Sequence, residues 1–350
     1  RQAGAVGPVP RAALQALLRR HHRRELVRVG GRDLLGLATV DDTVRELSAL
    51  ADALLLVATD CARAQVAVEW LDAGTPFVVF GMGKLGGEEL NYSSDIDLIY
   101  VYETEGAYGE RTAREFFARV ALEVTKAIAE VTGDGFCFRV DLRLRPGGGD
   151  GPVAVGLETM LDHYEAVGET WERAVWLKGR PIGGDRAFGE RVVVALEPFV
   201  FRRYLDYATL HDLQAMKRRV DASFRDQTVW ERNVKLGRGG IREVEFVVQA
   251  EQLIHAGKDS RLRGRATLAV LPRLAECGYF DSPHAERLAA AYRFLRDVEH
   301  KLQIVDERQT QLLPEGVPER AALARRMGFR GAAGSTEFEA ALHRHTDAAH

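Results

Sequence analysis

The apolar positions change their period several times along the chain, and each change predicts an element. Up to about residue 70 the spacing is helical: Ala13, Leu14, Leu17 and Leu18 share a stripe after Pro10, which suits a first helical turn. A second helix is expected to open near Asp42, with Thr43 and Glu46 at capping-box spacing, and to run to Gly74-Thr75-Pro76. Phe77–Phe80 is a short, wholly apolar run of the kind found in buried strands, and a second strand carries Asp95 and Asp97. Glu103–Glu110 reads as a polar loop. Arg111–Val131 then places Phe116, Phe117, Val120, Val124 and Ile128 on one helical face, with Gly133 as its stop. Phe136–Arg145 alternates as a half-wet strand: Phe138, Val140, Leu142 and Leu144 inward, Arg139, Asp141, Arg143 and Arg145 outward. Helical spacing returns at 157–168 and 171–177 and dominates from about residue 190, with runs at 268–277, 285–305 and 337–345. The expected fold is α+β and mostly helical. A small mixed β-sheet domain (75–188) is flanked by an N-terminal helical segment (1–74) and a C-terminal helical bundle (189–350).

Composition narrows the function classes. Lys+Arg 48 against Asp+Glu 51 gives a net charge of −3, which argues against a general nucleic-acid binder. Cys61, Cys137 and Cys277 are far apart and form no C-x-x-C pair, so structural zinc and a disulfide framework are not expected and a reducing cytoplasm is. No apolar run approaches the ~18 residues of a membrane span. The chain begins without Met or a signal-peptide pattern and stops inside a helical pattern, as a fragment of a longer polypeptide would.

Chemistry concentrates in FVVFGMGKLGGEELNYSSDIDLIYVY, residues 77–102. Gly81, Gly83 and Gly86 match the dinucleotide fingerprint G-x-G-x-x-G, but Asp95 arrives only nine residues after Gly86, too soon for a crossover helix. Lys84 is followed by leucine, so the phosphate-loop spacing is absent as well. Asp95 and Asp97, two apart on a strand, share a face with Ile96 and Leu98 behind them. Carboxylates so close repel unless protonated or bridged, and hard oxygen donors on a rigid strand suit Mg²⁺. Asp141, flanked by arginines, reads equally as a salt-bridged sheet surface or as a third ligand beside this pair. Arg19–Arg24 reads as a solvated helix face. Lys235 with Gly237, Gly239 and Gly240, just before the helical run from Ile241, reads as an anion cradle at a helix N-terminus.

GMGKLGGEELNYSSDIDLIY resembles the signature of the glutamine synthetase adenylyltransferase/adenylyl-removing (glutamate–ammonia ligase adenylyltransferase) family, within the polymerase-β-like nucleotidyltransferase superfamily. Asp134–Pro146 matches that family's D-G-F-x-x-R-V-D-x-R-L-R-P throughout, and Trp171–Arg180, Pro198–Asp206 and Asp306–Pro314 resemble further family segments. Gly147, Asp150 and Gly179 depart from it. The resemblance implies two Mg²⁺ ions (Mn²⁺ as the alternative) held by Asp95, Asp97 and Asp141. It implies ADP or ATP and phosphate contacts from Gly81, Gly83, Lys84, Ser94, Arg143, Arg145, Lys235, Gly239 and Gly240. Arg173, Lys178, Arg180, Arg202 and Arg203 are further phosphate or substrate candidates. Family members carry two nucleotidyltransferase halves in tandem; one adds AMP to a tyrosine of glutamine synthetase and the other removes it with phosphate. Gly239–Phe246 (GGIREVEF) and Gln309–Pro314 resemble the removing half. The implied partners are glutamine synthetase, the PII signal protein and the second half. The adding half, an RNA-directed nucleotidyltransferase and a non-catalytic docking module sensing PII are the competing readings.

Overall fold

The structure is a computed structural model that describes residues 9–70, 72, 74–108, 110–204, 211–215, 218, 227–305 and 308–350. Leu205–Asp206 and Asp306–Glu307, the ends of two family-like segments, lie outside the described residues. The fold is mostly helical with a small mixed sheet, as the periodicities require. By its internal contacts the chain forms two compact units. One comprises Arg1–Val29, Arg45–Leu90 and Ser94–Val200, the other Gly30–Val44, Asn91–Ser93 and Phe201–His350.

Helices α1 (Arg11–Leu34) and α2 (Val40–Glu69) open the chain. The cap of α2 lies at Thr39, four residues before the expected Thr43. Thr39 and Asp42 exchange hydrogen bonds there, Thr39 Oγ1 and its backbone N–H donating to the Asp42 carboxylate and the Asp42 N–H to Thr39 Oγ1. In the first unit β1 (Phe77–Gly81) leads through the one-turn helix α3 (Gly83–Gly86) to β2 (Ile96–Tyr102). The polar loop that follows contains a small hairpin, β3 (Ala107–Tyr108) with β4 (Arg111–Thr112). Thr112 and Glu115 then close a capping box on α4 (Ala113–Ala129). Next come β5 (Val140–Asp141), β6 (Ala154–Gly156), α5 (Leu157–Val167), α6 (Thr170–Trp176), β7 (Arg180–Gly184) and α7 (Arg186–Val200).

The sheet order is β5-β2-β1-β7, with β6 also on β2. β1 runs antiparallel to both β2 and β7, whereas β5 and β6 run parallel to β2. β1 therefore occupies one edge of β2, and β5 and β6 share the other in succession. The antiparallel β1–β2 pair excludes the dinucleotide-binding crossover, whose two strands must be parallel. Phe77 to Phe80 are fully buried. On one side Phe77 stacks on Tyr100 at 6.1 Å and on Phe117 at 5.1 Å, which fixes α4 against the sheet.

The basic run on α1 is a solvated face at Arg20, Arg23 and Arg24, but Arg19 and His22 turn inward. Arg19 is wholly buried, and its guanidinium donates to the carbonyls of Gln15, Ala127, Glu130 and Gly135, closing the C-terminal end of α4. His22 is 5 % exposed, edge-on to Phe138 at 4.8 Å, and its Nε2 has no hydrogen-bond partner. Burial, reinforced by Arg23, His21 and Arg19, pushes its pKa down to about 4. The folded chain thus binds fewer protons at His22 than the unfolded chain does. Its contribution is complete above the unfolded pKa of about 6.5 and disappears as pH falls towards 4. Replacing His22 with leucine is expected to remove up to ~3 kcal/mol of this acid sensitivity. Urea-unfolding free energies of the two proteins, compared at intervals from pH 7 to 4, should show the parent losing stability relative to the variant as pH falls.

The second unit is a bundle of α8 (Ile241–His255), α9 (Thr267–Glu276), α10 (Ser282–Gln303), α11 (Val317–Arg326) and α12 (Gly334–Ala349). Ile241, Val244, Val248, Leu271, Leu295 and Phe338 belong to its apolar core. No helix among the described residues is long and apolar enough to cross a membrane. Cys61, Cys137 and Cys277 are free thiols.

Candidate active site

Three aspartates converge because two strands lie side by side. Asp97 of β2 is paired in parallel register with Asp141 of β5, and the Ile96 N–H donates to the Arg139 carbonyl at 2.9 Å. Asp95 stands one residue before β2. Ile96 and Leu98 are fully buried, so alternation turns Asp95 and Asp97 to the opposite, more open face. The glycine turn abuts this face: the Met82 N–H donates to the Asp97 carbonyl at 2.9 Å. Gly83 has φ +52°, and a Cβ there would lie 2.8 Å from Asp97 Oδ2. Only glycine leaves that carboxylate its place. Gly86 has a different reason, since a Cβ would fall 1.9 Å from the Lys178 carbonyl. Gly81 ends β1 with its Cα against Ile182 of β7, and Lys84 and Ser94 are half-buried nearby in sequence.

Arginines engage two of the acids. Arg139 Nε donates to Asp95 Oδ1 at 2.5 Å, a contact that sequence reasoning missed although Arg139 had been placed on the wet face. Arg143 reaches Asp141 with its backbone N–H at 2.8 Å and with Nε at 2.9 Å. The Arg143 side chain is 81 % exposed, while that of Asp141 is 16 % exposed. This bond holds the Asp141 carboxyl below its usual range, and Asp141, with smaller help from Asp97 and Asp95, keeps Arg143 charged. Arg143 is thus the partner of Asp141, as Arg139 is of Asp95.

A divalent cation is judged by the donor set and by that guanidinium. Among the described residues no three His, Cys, Asp or Glu side chains are gathered closely enough, as they stand, to hold one ion. Asp95 is turned onto Arg139 and Asp141 onto Arg143. The donors are nonetheless all hard oxygens on paired strands, with a cation already attracted among them, which is the chemistry Mg²⁺ requires. The carboxylates offer the oxygen chemistry of a Mg²⁺ site, with Asp95 and Asp141 each held by an arginine.

Several other candidates have structural roles instead. The strand expected over 136–145 is only two residues long, because Arg145 turns back on its own loop and donates to the carbonyls of Leu142, Gly149 and Gly151. Arg173 is buried and donates to the Val200 carbonyl, Lys178 pairs with Glu89 at 2.5 Å, and Arg180 pairs with Asp52 at 2.7 Å. In the second unit Arg202 is half-buried and Arg203 exposed. The expected cradle at Lys235–Gly240 is a closed turn. The Ile241 and Arg242 N–H groups donate to the carbonyls of Val234 and Lys235, and Asn233 Oδ1 accepts from Lys235 and Leu236. Gly239, at φ +65°, packs against the Thr346 backbone. The amides of Lys235, Leu236, Gly237 and Gly240 all donate within the turn. Glu243 and Glu245 bond His350 and the Tyr292 hydroxyl within the same unit.

The sequence profile of the glutamate–ammonia ligase adenylyltransferases matches residues 6–194, and that of the GlnD PII-uridylyltransferases matches residues 209–350. A bifunctional glutamine synthetase adenylyltransferase/adenylyl-removing enzyme of Rhizobium meliloti is 44% identical over 344 residues, covering 95% of this chain and 35% of its own length. Proteins of the same description from Pseudomonas aeruginosa and Nitrosococcus oceani are each 43% identical, over 89% and 91% of this chain. The chain spans about a third of the length of the curated relatives it matches.

Proposed function

Because the chain belongs to the glutamate–ammonia ligase adenylyltransferase family, we propose that it removes AMP from the adenylylated tyrosine of glutamine synthetase by phosphorolysis. An oxygen of orthophosphate attacks the AMP phosphorus, the bond from phosphorus to the tyrosine oxygen breaks, and the products are ADP and the free tyrosine. One observation carries the reading: Asp97 and Asp141 stand in register on adjacent parallel strands, against a glycine turn in which the absence of a Cβ at Gly83 makes room for the Asp97 carboxylate. Asp95, Asp97 and Asp141 would hold one or two Mg²⁺ ions. Such ions supply positive charge to the oxygens that attack and leave in an in-line displacement.

The protein's own groups have separable tasks. β2 and β5 hold the acids at fixed spacing. Arg139 orients Asp95 through its 2.5 Å bond. Arg143 is exposed and planar, so once it leaves Asp141 it suits the incoming phosphate dianion. Lys84, in the glycine turn, is the second candidate for that charge. Glutamine synthetase as substrate, PII as regulator and a second nucleotidyltransferase half belong to the same proposal, as does a cytoplasmic location. The likeness of residues 209–350 to PII-uridylyltransferases favours a PII link.

Two reactions test it. Adenylylated glutamine synthetase with orthophosphate and Mg²⁺ should release ADP, whereas unmodified glutamine synthetase with ATP should release no pyrophosphate. Pyrophosphate from the second reaction would assign the adding direction instead. Gly83→Ala should lower ADP release about 10²-fold, because the new Cβ displaces the Asp97 carboxylate it meets at 2.8 Å. Its circular dichroism should match the parent; unchanged turnover would remove Gly83 from the site.

A further inference from the structure

The second unit contains a cavity of about 480 Å³ for which the reaction above has no use. Its walls come from the segment joining α1 to α2, from α10, and from the end of α11 with the turn that follows. Its size is that of a pocket for a small organic ligand, for which ~300–1,000 Å³ is usual. The charge on its walls is unbalanced. Arg293, Lys301, Arg325, Arg326 and Arg330 line it, against Asp33 and Asp297 alone.

The partners of these groups separate structure from recognition. Lys301 is buried and ion-paired with both Asp33 and Asp297, so the two acids of the wall are already engaged. The Tyr92 hydroxyl donates to Asp33 at 3.0 Å and completes that floor. Arg293 meets Asp41 at 3.1 Å. Arg325, Arg326 and Arg330 make no ion pair with a carboxylate among the described residues. Arg326 Nε is buried and lacks a hydrogen-bond partner, a cost that proteins rarely leave standing. Burial and the adjacent Arg325 loosen its hold on its proton, as expected for like charges with no anion between them. Helix α11 ends at Arg326, so a helix-dipole role accounts for Arg325 and Arg326 but not for Arg330 beyond it. Leu34, Leu35, Phe294 and Met327 give the same cavity an apolar side. His345 stacks on Phe294 at 4.4 Å and steadies that ring.

We propose that this cavity binds a small diphosphate-bearing anion, with Arg325, Arg326 and Arg330 on its phosphoryl oxygens. Guanidinium forks pair with phosphate through two hydrogen bonds at once, and three of them around one hollow suit more than a single negative charge. The diphosphate is either inorganic or part of a nucleotide whose base lies on the Leu35–Phe294 side.

Calorimetric titration of the 350-residue chain in EDTA, with pyrophosphate, ADP and citrate as separate probes, tests this. Pyrophosphate or ADP should bind. Arg330→Glu and Arg326→Gln should each weaken that binding by about tenfold or more, while the Asp95→Asn/Asp97→Asn double variant binds as the parent does. ADP binding more tightly than pyrophosphate assigns the base to the apolar side, and equal affinities assign recognition to the diphosphate alone. Arg330 is exposed, so its variant keeps the test sound if Arg326→Gln unfolds. The proposal is overturned if neither phosphate probe binds, if citrate binds as tightly, or if binding survives in the arginine variants and disappears with the aspartates. None of these outcomes depends on whether the chain releases ADP from glutamine synthetase.

Discussion

Asp97→Asn is expected to lower phosphate-dependent ADP release by about 10³-fold or more, while leaving the fold intact. The size follows from what the substitution takes away. It preserves the shape and the strand pairing, since the ladder contact to Met82 uses the Asp97 backbone carbonyl. What it removes is one of three negative charges whose proposed work is to hold a cation. Losing several kcal/mol of transition-state charge stabilisation corresponds to three or more powers of ten in rate. The loss should fall on kcat as well as kcat/KM, because the cation acts on oxygens whose charge grows during displacement. A coupled ADP assay on adenylylated glutamine synthetase, with circular dichroism as the control for folding, measures it. A variant within tenfold of the parent would leave the aspartate cluster a structural feature and end the transferase reading of this unit.

Arg143 behaves differently from the acids under the same argument. It neutralises Asp141 in the structure, yet it is mostly exposed. The proposal therefore gives it two positions: on the carboxylate without a bound cation, and on phosphate when one is present.

What could be read in the sequence depended on how far away the partner of each residue lies. The β1–turn–β2 unit was legible because its pattern is local: an apolar run, three glycines, and two acids alternating with buried Ile96 and Leu98. The helices α1, α2, α4, α9, α10 and α12 were legible from stripes of apolar residues. β6 and β7 were not. Each is short, and β7 reads Arg-Pro-Ile-Gly-Gly, which has little strand character of its own. It is a strand because β1 offers an open edge and because Gly183 can approach Thr59 of α2 closely. The outer half of Phe136–Arg145 misled for the opposite reason. Only Val140 and Asp141 join the sheet: before them Cys137 and Phe138 are both buried, and after them the loop carbonyls capture Arg145.

Charged residues carried the largest errors. Arg19, Arg173 and Lys178 look like surface or phosphate-binding groups by type alone, and each is buried. The acceptors that satisfy Arg19 on α4 and beyond lie 108 to 116 residues away, and the partner of Lys178 lies 89 residues away. No window on the sequence contains both members of such a pair. The turn at Lys235–Gly240 is a related case: its glycines signal an unusual backbone, but they do not say that four of its amides donate within the turn.

The buried pair Lys178–Glu89 supports the largest expected loss of stability. Their side chains are 8 % and 6 % exposed and meet at 2.5 Å. Desolvating both ions has already cost much of what their attraction returns, so the intact pair adds little net stability. Breaking it is another matter. Lys178→Met would leave the Glu89 carboxylate inside the protein without its cation, for a loss of ~3–5 kcal/mol in urea unfolding. Lys178→Met combined with Glu89→Gln should recover more than half of that loss, because no uncompensated charge remains. The same single variant should also weaken catalysis. The Lys178 carbonyl packs on Gly86, and Arg180, two residues on, donates to the carbonyls of Leu85 and Gly86. The pair thereby anchors the segment that holds the glycine turn against Asp97. A single variant costing under ~1 kcal/mol would mean that Glu89 finds water or another cation. In that case the turn is held by Arg180 with Asp52 and by the Met82–Asp97 backbone bond.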